Sequence, residues 1–258
     1  MKLGISTACL YPMETERSLK TLAPMGFEAY EIFFNTFREL QPDFLKQLRV
    51  LAEDKEIVSV HPFTSGFETM LLFSSYRRRF EDTLEFYRNF FDAANQLGAK
   101  IMVLHGERDP VRSTITEEEY FDRYAELFRL GRQNGIIVAQ ENVNRFRSES
   151  PSFISRMRKS LGTECAFVFD VKQAVRAGKD PYEMLSAMGE RLVHVHVNDN
   201  TPQEDCLLPG CGEMDYQRLR EALRALSYDG CVILEVYRKN FKAFSEIVQS
   251  RRCLERFF

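Results

Sequence analysis

The sequence lacks the features that mark membrane proteins and disulfide-stabilised extracellular proteins. No apolar run approaches the roughly 18 residues that a helix needs to span a bilayer. The six cysteines include no C-x-x-C pair, and the first residues, MKLGISTACL, form a strand-like run and not a signal peptide. We therefore expect reduced thiols in a cytoplasmic protein that does not contact membranes.

Blocks of like charge are also absent. The formal net charge is −3, and no stretch offers the broad basic surface that nucleic-acid binding requires. No linker or low-complexity tract interrupts the chain, and apolar residues, at 44%, suffice for one sizeable core. We expect one domain over residues 1–258 that acts on a small molecule, with nucleic acid disfavoured as a partner and a homo-oligomer left open.

Eight strand-like runs alternate with helical patterns at intervals of roughly 30 residues, the spacing of a (β/α)₈ barrel. The runs are rich in Val, Ile and Leu, as expected for parallel strands buried on both faces. A doubly wound open sheet is the competing fold, but STACLYP, after the first run, lacks the glycines of a phosphate-binding loop. We predict a single TIM barrel with strands at 2–7, 29–34, 57–62, 100–106, 136–140, 166–170, 192–197 and 231–236.

Helical periodicity fills the intervals between these runs. The longest predicted helix, 76–97, places several aromatic residues on one face, which indicates core packing. The next, 116–134, opens with the capping-box pattern Thr116-x-x-Glu119. One helix, 180–189, is predicted between the sixth and seventh strands, and the last is predicted at 240–258.

The stretch 192–200 reads LVHVHVNDN and is the starting point for predicting the functional site. Side chains alternate across a strand, so His194 and His196 share one face, and His196 stands where the strand ends. Three other predicted strands end in a carboxylate, at Glu141, Asp170 and Glu235. The carboxyl ends of barrel strands meet at one mouth. These four residues therefore predict a site for one divalent cation, Mn²⁺, Zn²⁺, Mg²⁺ or Co²⁺, and no organic cofactor is expected.

Several motifs resemble those of the xylose isomerase-like (β/α)₈ barrels, the branch with sugar phosphate isomerases, epimerases and relatives of endonuclease IV. The shared motifs are LHG at His105, ENV at Glu141, FDVKQA from Phe169, HVHVND from His194 and SYDGCVILEV, which carries Glu235. The resemblance covers essentially the whole chain. It implies one cation bound by the four residues named above, with Glu141 and Glu235 as the catalytic acid/base pair.

The resemblance also implies a class of reaction. We expect an isomerase or epimerase that acts on a sugar, sugar phosphate or related polyol by removing the proton α to a carbonyl. A dehydratase or lyase of a keto-sugar or ketoinositol uses the same first step and is the alternative. A nuclease of the endonuclease IV type is disfavoured, because Gln173 replaces the histidine of D-x-x-H and PQEDCLLPG contains no histidine for a third metal.

Further polar residues are predicted around the mouth. His61 and His105 match positions that hold a second zinc in the nucleases, but single-metal relatives keep such histidines for substrate. We therefore predict substrate contact, with a second metal as the alternative. The predicted substrate-binding residues are His61, His105, Asn142, Gln173 and Asn198. Below the mouth, we expect His194 to be a satisfied polar core residue and Glu31 to be a buried structural carboxylate.

Overall fold

Eight parallel strands close into a barrel in the order of the sequence. The computed structural model describes all residues from 1 to 258. The strands are β1 (Lys2–Ser6), β2 (Ala29–Phe33), β3 (Glu56–His61), β4 (Ile101–Leu104), β5 (Ile137–Glu141), β6 (Phe167–Asp170), β7 (Leu192–Val197) and β8 (Cys231–Leu234). The predicted (β/α)₈ fold is confirmed, and every predicted strand is present with its ends displaced by at most two residues.

Helices surround the barrel and connect its strands. They are α1 (Thr15–Leu22), α2 (Pro42–Ala52), α3 (Glu68–Leu71), α4 (Arg77–Leu97), α5 (Glu117–Gln133), α6 (Pro151–Leu161), α7 (Val171–Arg176), α8 (Pro181–Met188), α9 (Tyr216–Ala225) and α10 (Phe244–Leu254). The capping box before α5 is formed, with the Thr116 hydroxyl accepting from the amide of Glu119. None of the helices combines the length and the apolar character that crossing a lipid bilayer requires.

Two short helices were not predicted. One is α3, and the other is α7, which follows β6 without any intervening loop. The carboxylate of Asp170 caps α7 by accepting from the amide of Gln173 at 3.4 Å. The final helix begins later than predicted, because residues 238–240 form a separate turn that ends at an extended Phe241.

The core lies between the barrel and its helices, as the aromatic face of α4 indicates. Phe80, Tyr87 and Phe91 are fully buried there, and burial of each such side chain stabilises the fold by about 1.5–3 kcal/mol. The predicted packing role of this helix is confirmed. This packing keeps the barrel strands in fixed positions, and the polar side chains at their carboxyl ends are held at one mouth.

Strand register sets the height of the polar residues inside the barrel. Asp170 of β6 pairs with His196 of β7, so both lie at the level where their strands end. Glu31 of β2 pairs with Ser59 of β3, and His194 precedes His196 by one inward-facing position. The barrel therefore carries one polar layer at the mouth and a second polar layer beneath it.

Candidate active site

The imidazole of His196 is surrounded by the three predicted carboxylates. Its Nδ1 lies 3.1 Å from Glu141 Oε1, 3.1 Å from Glu235 Oε2 and 3.9 Å from Asp170 Oδ2. One potential ligand atom from each of the four residues lies within 4.8 Å of the others. The structure thus brings together all four residues of the predicted cation site, from the ends of β5, β6, β7 and β8.

Burial and mutual contact strongly perturb these groups. Burial raises the pKa of Asp170 to about 7, despite the opposing effect of the nearby Lys172 ammonium. Burial acts in the same direction on Glu141 and Glu235, but neighbouring cationic groups hold the pKa of both carboxyls below the ordinary value. The pKa of His196 is raised well above its ordinary value, because the carboxylates outweigh the effect of burial. Such perturbation is typical of functional sites.

Two carboxylate oxygens of the cluster have no hydrogen-bond partner. Glu141 Oε2 and Asp170 Oδ2 are both fully buried and accept no hydrogen bond of regular geometry. His105 Nε2 lies 2.9 Å from Glu141 Oε2, and Lys172 Nζ lies 2.8 Å from Asp170 Oδ2. A buried carboxylate oxygen without a hydrogen bond is costly, and a divalent cation would satisfy both oxygens. Three carboxylates and one imidazole are a suitable donor set for Mn²⁺, Zn²⁺, Mg²⁺ or Co²⁺, so the residues present fit such an ion.

Lys172 is part of this cluster, although sequence reasoning missed it. Its side chain is buried, and Nζ lies 2.8 Å from Asp170 Oδ2 and 2.9 Å from Glu235 Oε2. The carboxylates outweigh the effect of burial and raise the pKa of Lys172 well above its usual value. Lysine is almost never fully buried without an anionic partner. The lysine in DVKQ, two residues after a predicted ligand, was therefore a signal that could have been used.

The second polar layer lies beneath His196 and contacts its imidazole. Glu31 Oε2 lies 3.1 Å from His196 Nε2 and 3.1 Å from His194 Nε2, and it accepts a hydrogen bond from Ser59 Oγ at 2.8 Å. Glu31 is thus buried and hydrogen-bonded within the barrel, as expected. His194 is only partly satisfied, because its Nδ1 has no partner. The contact with His196 gives Glu31 a direct connection to the predicted cation site that the sequence did not indicate.

His61 and His105 form a second group beside the first. Their Nε2 atoms lie 2.9 Å apart, and His105 Nε2 contacts Glu141 Oε2. Burial lowers the pKa of His61, whereas Glu141 raises that of His105 against the effect of burial. One potential ligand atom from each of His61, His105 and Glu141 lies within 4.8 Å of the others, close enough for a shared cation. Both predictions for the two histidines, substrate contact and a second metal, remain predictions.

The three predicted amide side chains differ in position. Asn142 uses both of its polar atoms on the backbone of Asp170: Nδ2 donates to the carbonyl at 3.0 Å and Oδ1 accepts from the amide at 2.8 Å. Asn198 Nδ2 donates to Asp170 Oδ1 at 3.3 Å. Neither residue lines the cavity, whereas Gln173 does. Asn142 and Asn198 thus both contact Asp170 in this structure, and their contact with substrate remains a prediction.

A cavity of about 210 Å³ opens above the cluster. Both glutamates reach it, together with the two histidines, Lys172 and Gln173. The remaining lining residues are Ala8, Tyr11, Phe33, Ser65, Val236 and Tyr237. The cavity thus offers polar groups on the side of the cluster and largely apolar or aromatic walls elsewhere, an arrangement typical of small-molecule sites.

Comparisons with known proteins agree with this architecture. A family model described as xylose isomerase-like TIM barrel matches residues 19–257. The uncharacterized protein MJ1311 of Methanocaldococcus jannaschii is 26% identical, over 100% of this chain and 89% of its own. An inosose dehydratase of Geobacillus thermodenitrificans is 23% identical, over 60% of this chain and 63% of its own.

A crystal structure of a D-tagatose 3-epimerase-like protein has the same fold. It superposes with a TM-score of 0.81 at 24% identity, and the match covers 100% of this chain and 97% of the other. At that identity the likeness establishes the architecture. The family model, however, spans most of the sequence, and the chain therefore belongs to the xylose isomerase-like TIM-barrel family.

Proposed function

We propose that the protein is a divalent-metal-dependent isomerase or epimerase of a sugar, a sugar phosphate or a related polyol. The observation that carries the proposal is that Glu141 and Glu235 belong to one four-residue ligand cluster and line the same cavity. Reactions that move a proton α to a carbonyl need two such groups, one to remove the proton and one to return it. The fold shared with a D-tagatose 3-epimerase-like protein supports the choice of substrate class.

The ionisation of the two glutamates suits the first step. Neighbouring cationic groups hold the pKa of both carboxyls below the ordinary value, so both are carboxylates at neutral pH, as a general base must be. A divalent cation held by Glu141, Asp170, His196 and Glu235 would polarise the substrate carbonyl and stabilise negative charge on its oxygen. Glu141 or Glu235 then accepts the proton from the α carbon.

The second step decides the product. If the other glutamate returns a proton to the opposite face of the same carbon, the configuration inverts and the product is an epimer. If one glutamate delivers the proton to the neighbouring carbon, aldose and ketose interconvert. Gln173, His61 and His105 line the cavity as hydrogen-bonding groups for substrate hydroxyls. The cavity, at about 210 Å³, is smaller than the ~300–1,000 Å³ of drug-sized ligand sites, which favours a monosaccharide-sized substrate.

A dehydratase of a keto-sugar or ketoinositol is the second candidate. The similarity to an inosose dehydratase supports it. Such an enzyme uses the same proton abstraction and then expels a hydroxyl group from the next carbon. The two candidates differ in the product, because only the dehydratase releases water and forms a carbon–carbon double bond that absorbs in the ultraviolet.

Proton–deuterium exchange tests the proposal. Metal-loaded protein is incubated in D₂O with a panel of ketoses, ketose phosphates and ketocyclitols, and the substrates are analysed by NMR. We expect deuterium at the carbon α to the carbonyl for at least one of them, and loss of that exchange in Glu141→Gln and Glu235→Gln. Absence of exchange with every member of the panel would contradict the proposal, and cleavage of abasic-site DNA would favour the nuclease instead.

A further inference from the structure

Lys172 reaches into the ligand cluster from the second position of α7. The helix starts directly after Asp170, so the lysine side chain turns back toward the strand end that precedes it. It is 2% exposed. Its Nζ also lies 5.3 Å from the centre of the Tyr237 ring, which stands at the cavity wall. The ammonium is therefore held between the carboxylates on one side and the cavity on the other.

The ammonium contacts the same oxygens that a cation would need. Asp170 Oδ1 already accepts from the side chain of Asn198 and the amide of Gln173, so Oδ2 is the atom left for a metal. Glu235 Oε2 is the oxygen that faces His196 Nδ1, at 3.1 Å. Nζ of Lys172 lies within 3 Å of both of these atoms. A divalent ion bound to them would stand next to the ammonium, and two like charges that close repel each other strongly.

The charge of the cluster also indicates that the ammonium and a divalent cation compete for the same carboxylates. When ionised, the three carboxyl groups carry a formal charge of −3. Lys172 contacts Asp170 and Glu235, and His196 contacts Glu141 and Glu235. Without a metal, the ammonium offsets part of this charge in a buried place where unpaired carboxylates would be costly. With a metal, the ammonium is no longer needed there, and the cavity that it already lines offers another position.

We propose that Lys172 is an intramolecular competitor for the divalent cation, displaced from Asp170 Oδ2 and Glu235 Oε2 into the cavity when the cation binds. The inference rests on the proposed function, since it takes the four residues to be the cation ligands. After displacement, the ammonium of Lys172 would lie in the cavity beside the substrate. The opposite role, in which Lys172 holds the two carboxylates ready for the metal, predicts the opposite change in affinity when the lysine is removed.

Mn²⁺ affinity tests the competition directly. Cation-stripped wild type, Lys172→Met and Lys172→Gln are compared by isothermal titration calorimetry, after circular dichroism has verified folding. Lys239→Met is the matched control: Lys239 is exposed at the same mouth, with Nζ 5.9 Å from the same Tyr237 ring. We expect the Kd for Mn²⁺ to fall about tenfold or more in both Lys172 variants, in the usual range for coupling between two ligands, and to stay near the wild-type value in the control.

Melting temperatures give a second readout. Mn²⁺ should raise the melting temperature more in Lys172→Met than in the wild type at equal Mn²⁺ concentration, because tighter binding stabilises the folded state more. Mn²⁺ binding by the variants but not by the wild type also supports the competition. An unchanged or higher Kd in both Lys172 variants overturns it, while the proposed function stands if deuterium exchange is observed. Absence of Mn²⁺ binding by wild type and variants alike overturns the competition, and together with absence of deuterium exchange it overturns the proposed function as well.

Discussion

His196 and Glu31 are joined by a contact of 3.1 Å between Nε2 and Oε2, on the side of the imidazole opposite the carboxylate cluster. Both side chains are fully buried. A metal-binding histidine commonly has such a carboxylate on its second nitrogen, where it fixes the tautomer and the ring orientation and increases the basicity of the ligand. Glu31 therefore determines which nitrogen of His196 faces Glu141, Asp170 and Glu235.

Loss of this contact is expected to weaken cation binding. Glu31→Gln should raise the Kd for Mn²⁺ about 10–100-fold, the usual effect of removing a group that supports a ligand. Calorimetric titration measures the change. Ser59→Ala is the control, because it removes another hydrogen bond to Glu31 without touching His196. Equal affinity in Glu31→Gln and wild type would contradict a supporting role for Glu31.

Removal of a ligand oxygen should remove the metal. We expect Asp170→Asn and Glu141→Gln to retain less than about a tenth of the wild-type metal content after dialysis. Each substitution removes one of the three carboxylate donors that would bind the cation. Elemental analysis by mass spectrometry gives the content. Glu190→Gln, on the exposed surface, should match the wild type. Full metal content in both ligand variants would show that the assignment is wrong.

Asn142 should matter for stability. Its amide makes two hydrogen bonds to the backbone of Asp170, and Asn142→Ala leaves the buried N–H of Asp170 without its partner. An unpaired buried group of this kind costs about 1–3 kcal/mol, so the free energy of unfolding should fall by roughly 1–3 kcal/mol. Urea denaturation measures it, with Gln173→Ala as the control at the cavity wall. A change below about 0.5 kcal/mol would instead favour a role confined to the substrate.

Cation binding should become tighter as the pH rises. The pKa of Asp170 is raised to about 7, and that of His196 is raised well above its ordinary value, so both groups hold protons near neutrality in the cation-free protein. Metal ligands must be deprotonated, and binding therefore releases protons. The Kd for Mn²⁺ should fall between about pH 6 and about pH 8. Calorimetry in buffers of different ionisation enthalpy counts the protons; a pH-independent Kd with no release would contradict this.

The sequence was sufficient to predict the strands and the four clustered residues. Parallel barrel strands are apolar runs of regular spacing, and their carboxyl ends meet by geometry alone. A carboxylate or histidine at a predicted strand end can therefore be assigned to the mouth without knowledge of the loops. This reasoning applies equally to Glu141, Asp170, His196 and Glu235.

Contacts across the barrel could not be predicted from the sequence, because this reasoning uses only the local pattern of each strand. Glu31 lies 165 positions before His196 in the sequence, and β2 and β7 are not neighbours in the sheet. Their contact depends on side-chain length and on the diameter of the barrel, which no local pattern records. The role of Lys172 depends on α7, a helix of six residues, too short to produce a recognisable helical period. The hydrogen bonds from Asn142 to the backbone of Asp170 could not be predicted either, because strand ends do not reveal which atoms the neighbouring backbone uses.

The polar layer of Glu31, Ser59 and His194 and the wall of the cavity are built from different parts of the fold. The residues of the polar layer stand on strands of the barrel, whereas the wall of the cavity includes residues outside the strands, such as Tyr11, Ser65 and Tyr237. Loops accept insertions and substitutions more readily than the strands that support them. Substrate preference can therefore diverge among descendants of this chain, or be redesigned by loop exchange, while the strands keep the residues of the proposed proton chemistry.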